Sequence, residues 1–412
     1  MVTKAALRLH GTSSEPDFLR HIGFEHIKEK FCKSGRKVYA LHGADVLEWG
    51  HSNDALTQML GEVSSEGWGG HYSETTDLIV QLKQSIAFFE RAMRGIECSP
   101  EDIIPVPGVA GAWNILHYTL LDPGDEMLCI QPAHYFWGPA SYLHHYSAKA
   151  VGALTNESEA WEPDTEDLRS KISTKTKAIV IVYPNNPTGA VYSNGALRRI
   201  LDIAGEHDLL VIADEIYGLV SYDGLEVKSV AAKSPETPVV TMYSMSKFFM
   251  KPGWRLGFIH MCDPRGKLGE FRRVLETVAS TYGYGIKALS TVMLAAGAKA
   301  FRGPYDASRE FVKRLEARRD FTFKRLNEIE GIRCTKPKAS LYAFPRIEAV
   351  GKGWDSEEQF LTELLNEEGV VFSPGSLFGP QGAGHFRTLI LPEIEVLEEV
   401  YSRLERFMEK HS

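Results

Sequence analysis

Long apolar runs are missing from this 412-residue chain. No stretch approaches the roughly 20 consecutive apolar residues that a membrane helix requires, and the opening Met1-Val2-Thr3-Lys4 leads into no apolar segment with a small-residue cleavage site. A cytoplasmic protein with no membrane partner is therefore expected. Cysteine is scarce as well. Cys32, Cys98, Cys129, Cys262 and Cys334 are odd in number, scattered and never in Cys-x-x-Cys spacing, which argues against both a disulfide framework and a zinc cluster. No metal is expected, and a reducing compartment is the simplest reading. Nor is there a surplus of positive charge: 46 Lys and Arg stand against 54 Asp and Glu, a net charge of −8. Without an overall basic field, nucleic acid is excluded as the default partner. Internal repeats and low-complexity linkers are lacking too.

What remains is a composition near the globular average, 43% hydrophobic and 24% charged, long enough to bury a large core split between two domains. Short β-branched runs at 127–130, 178–183, 209–213, 239–243 and 257–261 alternate with helix-length amphipathic segments. Strands apolar on both faces predict an α/β fold, with a mostly parallel sheet between helices. Ligands of such sheets gather at the carboxyl ends of the strands. The last third differs, with long charged helical patterns at 305–329, 356–368 and 393–410 and a short apolar segment at 341–344. These predict a smaller α+β domain.

Polar residues cluster where the apolar runs stop. After 239–243 comes Ser244-Met245-Ser246-Lys247, and then Lys251-Pro252-Gly253-Trp254-Arg255-Leu256-Gly257. A lysine amine in its free-base form condenses with carbonyls, and a guanidinium with a nearby hydroxyl suits a phosphate. Asp214 ends the run 209–213 in Asp214-Glu215-Ile216-Tyr217, and a buried carboxylate is costly unless paired. Asn185-Asn186-Pro187-Thr188-Gly189 follows the run 178–183. Gly108-Val109-Ala110-Gly111 precedes an apolar helical stretch, and free N–H groups at a helix N-terminus suit an anion.

Taken in chain order, these segments resemble the class I/II aminotransferases, the aspartate aminotransferase superfamily of pyridoxal-phosphate fold type I. The run from Met250 to Phe258 is most similar to the alanine and broad-specificity branch. The resemblance implies pyridoxal 5′-phosphate bound through a Schiff base to Lys247. It implies Asp214 at the ring nitrogen, Asn186 and Tyr217 at the ring hydroxyl, and the phosphate held by Ser244, Arg255 and the backbone at Val109 and Ala110. His134 falls where relatives stack an aromatic ring on the cofactor, with Tyr135 the alternative if the loop is offset by one. Gly70-His71-Tyr72 resembles the segment that lends a tyrosine to the partner subunit's phosphate, so a homodimer with shared active sites is implied. Arg387, in His385-Phe386-Arg387-Thr388, is implied to grip the substrate carboxylate together with Asn186.

This sequence departs from the family pattern at four places. Val109 and Ala110 carry no hydroxyl or amine, His134 stands in place of a Tyr, Phe or Trp, Asp77 stands near a usual glycine, and Leu41-His42-Gly43-Ala44-Asp45 replaces the common Gly-x-Pro-Asp-Phe. The implied reaction moves an amino group between an L-amino acid, alanine or another neutral or aromatic one, and a 2-oxo acid such as 2-oxoglutarate. A lyase, a cyclopropane-forming synthase or an oxidase on the same scaffold is the alternative. No motif places a second arginine, and Lys287 lies near the relevant stretch. Trp49, Trp68, Tyr135, Trp137, Tyr282 and Tyr284 either line a side-chain pocket or pack the core. The expected division is 1–55 and 301–412 in the small domain, and 56–300 in the large cofactor domain.

Overall fold

Seven strands form the central sheet: β1 (Ile103–Val106), β2 (Glu126–Ile130), β3 (Lys149–Ala153), β4 (Thr176–Val182), β5 (Leu210–Asp214), β6 (Val239–Ser244) and β7 (Gly257–Cys262). The computed structural model describes residues 18–20, 22–72, 76–134, 143, 146–233, 236–281 and 289–411. The sheet order is β1-β7-β6-β5-β4-β2-β3. From β6 across to β3 every pairing is parallel, whereas β7 runs antiparallel to both β6 and β1. The predicted α/β class is observed, with the run at 257–261 as the reversed strand.

Strands with two buried faces read as unbroken apolar runs because successive side chains point opposite ways. Met127, Cys129, Ala178, Val180, Val182, Leu210 and Ile212 join the core on one face. Their neighbours Leu128, Ile130, Ile179, Ile181, Val211 and Ala213 join the core on the other. Each fully buried Val, Ile or Leu stabilises the fold by about 1.5–3 kcal/mol. Helices cover the sheet, among them α1 (Leu78–Arg94), α2 (Gly108–Leu120) and α3 (Asn194–Glu206). The start of α3 is fixed by Ser193, whose side chain accepts from the Ala196 N–H. Its period-3.6 stripe of Leu197, Ile200, Leu201 and Ala204 is buried.

Toward the C-terminus, β8 (Tyr342–Ala343), β9 (Ser373–Pro374) and β10 (Phe386–Leu389) form a small antiparallel sheet with β10 in the middle. Helices α4 (Asp306–Glu328), α5 (Glu357–Glu368) and α6 (Ile394–His411) lie within a residue or two of the predicted bounds, and α6 packs against both α4 and α5. The early segment Tyr39–Ala40 pairs in parallel with Val370–Val371. No helix among the described residues is long and apolar enough to cross a membrane.

Candidate active site

The parallel strands deliver their carboxyl ends to one edge of the sheet. His134 follows β2, Asn186 follows β4, Asp214 closes β5 and Lys247 follows β6. Reversed β7 reaches the same edge with its beginning, so Arg255 arrives there two residues before Gly257. A pocket of about 160 Å³ opens at this edge, and His134, Asn186, Asp214, Tyr217, Lys247 and Arg387 all line it. Six residues singled out from the sequence therefore meet in one cavity.

Asp214 is 1% exposed. Burial pushes its carboxyl up to about 7, against the Ile216 N–H that donates to it at 3.2 Å, the Trp113 indole and the charge of Lys247. Among the described residues this carboxyl forms no ion pair, and a protonated ring nitrogen in the pocket fits that need. His134 is partly enclosed beside the cations of Lys247 and Arg387. Burial, then Arg387 and Lys247, hold its imidazole well below the usual value, so the ring is neutral.

Val109, Ala110, Ser244 and Arg255 stand outside the pocket wall, together at the N-terminus of α2. Helix α2 starts after Pro107 with no side-chain cap, leaving its first N–H groups directed outward. The Arg255 guanidinium lies over that end: a Cβ on Gly108 would meet its Nη2 at 2.7 Å. On Gly257 a Cβ would meet the Tyr243 carbonyl at 2.7 Å and the Gly108 Cα at 3.0 Å, so glycine lets β6, β7 and α2 converge. Ser244, fully buried, donates to the Ser246 hydroxyl at 3.0 Å and accepts from the Ser246 N–H. Helix end, two hydroxyls and guanidinium make a cradle suited to a phosphate.

Arg387 lies on β10, 3% exposed. It donates to Asn186 Oδ1 at 3.2 Å, to the His42 carbonyl at 2.8 Å and to Ser373 Oγ at 3.2 Å. Its guanidinium lies over the ring of Tyr342, 4.4 Å away, and over that of Phe378, 4.7 Å away. Phe378 in turn abuts His134, with ring centroids 5.8 Å apart. Tyr342, Gly43 and Ala44 line the pocket without having been assigned a role from sequence. A tyrosine inside the apolar run 341–344 was the available signal, since a buried hydroxyl needs a partner.

Residues 55–404 match the model of the family described as aminotransferase class I and II. The chain belongs to that family. Its members use pyridoxal phosphate. Among relatives, the glutamate-pyruvate aminotransferase AlaA of Escherichia coli is 34% identical over 321 residues, 77% of each chain. An aromatic-amino-acid aminotransferase of Thermococcus litoralis is 32% identical over 344 residues, 82% of this chain and 84% of the relative. The solved alanine aminotransferase of Pyrococcus furiosus superposes with a TM-score of 0.90 at 36% identity, covering 100% of both chains. None of these names favours the lyase alternative.

Beneath the pocket of this aminotransferase lies a buried charge cluster that sequence reasoning missed. Arg94 on α1 pairs with Glu90 at 2.9 Å and with Glu215, the residue after Asp214. Glu215 also accepts from the Ser229 hydroxyl and the Val230 N–H, while Glu90 reaches His260 on β7 at 3.2 Å. The Arg94 guanidinium covers the ring of Tyr243, the residue before Ser244. One cation thus braces the ends of β5 and β6. Tyr72 is 79% exposed and lies outside the pocket wall, and neither Trp49 nor Trp68 lines it. Tyr135, Trp137, Tyr282, Tyr284 and Lys287 fall outside the described residues.

Proposed function

We propose that this chain is a pyridoxal-phosphate-dependent aminotransferase that exchanges an amino group between a neutral L-amino acid, alanine first or an aromatic one, and a 2-oxo acid such as 2-oxoglutarate. The observation that carries the proposal is the meeting of Lys247, Asp214 and Arg387 in one pocket beside a phosphate cradle. The names of the alanine, glutamate-pyruvate and aromatic relatives support the choice of substrates.

When bound, the cofactor supplies an aldehyde that joins to the amino group and a ring that delocalises the electrons left by a broken Cα–H bond. Lys247 would hold the aldehyde, Asp214 the ring nitrogen, and Asn186 with Tyr217 the ring oxygen. The amides of Val109 and Ala110, with Ser244, Ser246 and Arg255, would hold the phosphate, and His134 would lie against the ring face. Arg387 takes the substrate carboxylate bidentately, with Asn186 beside it, and so turns the Cα–H bond toward Lys247. The Lys247 amine would be the base that takes the proton from the substrate Cα.

On this reading 56–300 form the cofactor domain, with 1–55 and 301–412 in the smaller one. The exposed Tyr72 serves the phosphate site of a second copy, so a homodimer completes two active sites. The test is an absorbance titration of the cofactor-loaded protein with single amino acids and no acceptor. Conversion of the lysine-linked band to the pyridoxamine band, reversed by a 2-oxo acid, is expected and names the donor. Pyruvate or ammonia accumulating without that conversion would overturn the reading in favour of elimination.

A further inference from the structure

The tyrosine on β8 touches both halves of the site. Tyr342 is 3% exposed, its ring face lies 4.4 Å from the Arg387 guanidinium, and its hydroxyl is 3.1 Å from that of Tyr217. Tyr217 Oη also accepts from Asn186 Nδ2 at 3.4 Å, and Asn186 Oδ1 accepts from Arg387 at 3.2 Å. Arg387, Asn186, Tyr217 and Tyr342 therefore close a ring of contacts in which Tyr342 is the element without an assigned role. Its backbone sits on the small sheet, opposite Leu389 of β10, the strand that carries Arg387.

We propose that Tyr342 is a positioning residue that links the cofactor's ring oxygen to the carboxylate clamp, its hydroxyl acting through Tyr217 and its ring through Arg387. This rests on the aminotransferase reading above.

Hydrogen-bond direction supplies the physical reason. A phenol has one proton to donate. If Tyr217 gives its proton to the ring oxygen, it can only accept from its other neighbours, the Asn186 amide and the Tyr342 hydroxyl. Tyr342 must then donate, and donated bonds arranged in a chain reinforce one another in a low-dielectric site. The aromatic face acts separately. A desolvated guanidinium packed on aromatic rings loses freedom to turn, which favours meeting a carboxylate with two parallel bonds. Lys247, Asp214, His134, Arg387 and the phenols of Tyr217 and Tyr342 are the charged or titratable groups lining the same pocket among the described residues.

Two substitutions separate the two arms. Tyr342→Phe keeps the ring and removes the hydroxyl. Weaker donation to the ring oxygen leaves the lysine-linked nitrogen more basic, so the pH midpoint of the cofactor's visible absorbance should rise by about half a unit. Affinity for propionate, a non-reactive monocarboxylate titrated calorimetrically into the same loaded protein, should stay within about twofold, because the ring face over the guanidinium is kept. Tyr342→Leu removes both arms and should also weaken propionate by about tenfold. Where leucine destabilises the protein, Tyr342→Met of similar reach replaces it. An unmoved midpoint in Tyr342→Phe, or unchanged propionate affinity in the aliphatic variant, overturns the proposal. A wild-type protein that takes up no pyridoxal phosphate removes the underlying reading, and this one with it.

Discussion

Consider Asp214→Asn in the cofactor-free protein. The carboxyl is 1% exposed and its proton affinity is raised from an ordinary 3.8 to about 7, chiefly by burial. Between those values the folded chain keeps a proton that the unfolded chain has lost, so stability falls as pH rises through the window and is level above it. The span corresponds to about 4 kcal/mol, at about 1.4 kcal/mol per pH unit. Asparagine has the same shape, keeps an oxygen for the Ile216 N–H and does not ionise. Its advantage over wild type should therefore grow by about 2–3 kcal/mol between pH 5 and 8. Urea unfolding of both proteins at one fixed concentration measures this, and the difference cancels the groups the two proteins share. With cofactor present the order should invert, because only the carboxylate pairs with a protonated ring nitrogen. A difference that does not vary with pH would refute the argument that Asp214 is a buried acid awaiting a cation.

Two further outcomes follow from the same geometry. Lys247→Ala should abolish turnover and the lysine-linked absorbance band while the cofactor stays bound through the phosphate cradle and Asp214; spectra before and after dialysis check both. Gly257→Ala inserts a methyl against the Tyr243 carbonyl and Gly108, and overpacking of this kind costs about 1–3 kcal/mol. Its larger effect should be on the cradle, seen as weaker retention of phosphate or cofactor in equilibrium dialysis.

The strands were legible where both faces are buried. Runs at 127–130, 178–183, 209–213 and 239–243 lie within two residues of β2, β4, β5 and β6 at each end. β1 and β3 escaped notice for local reasons: β1 is four residues with Pro105 inside, and β3 is Lys-Ala-Val-Gly-Ala, with one β-branched residue. The reversal of β7 has no trace in its residues, because direction is fixed by which end the connection reaches. In the site, the segments of Lys247, Arg255, Asp214 and Asn186 stood out because glycine, proline and charge interrupt apolar runs, whereas His134, Tyr217 and Arg387 came only from the family resemblance. Tyr342 and the Arg94–Glu215 brace were not, since a buried tyrosine in a strand, an arginine ending an amphipathic helix and a glutamate just past a strand look like ordinary packing until the partners are seen.

The pocket draws its two walls from distant parts of the chain. Residues expected to hold the cofactor follow the strands of the large sheet, whereas Gly43 and Ala44 come from an early segment and Tyr342 and Arg387 from the late one. Heritable variation therefore reaches the two walls independently. On the proposed reading, substitutions at Gly43 and Ala44 would retune which amino acid is accepted while Lys247, Asp214 and the carboxylate clamp at Arg387 are kept, so a lineage on this scaffold would change its diet without reinventing its catalyst.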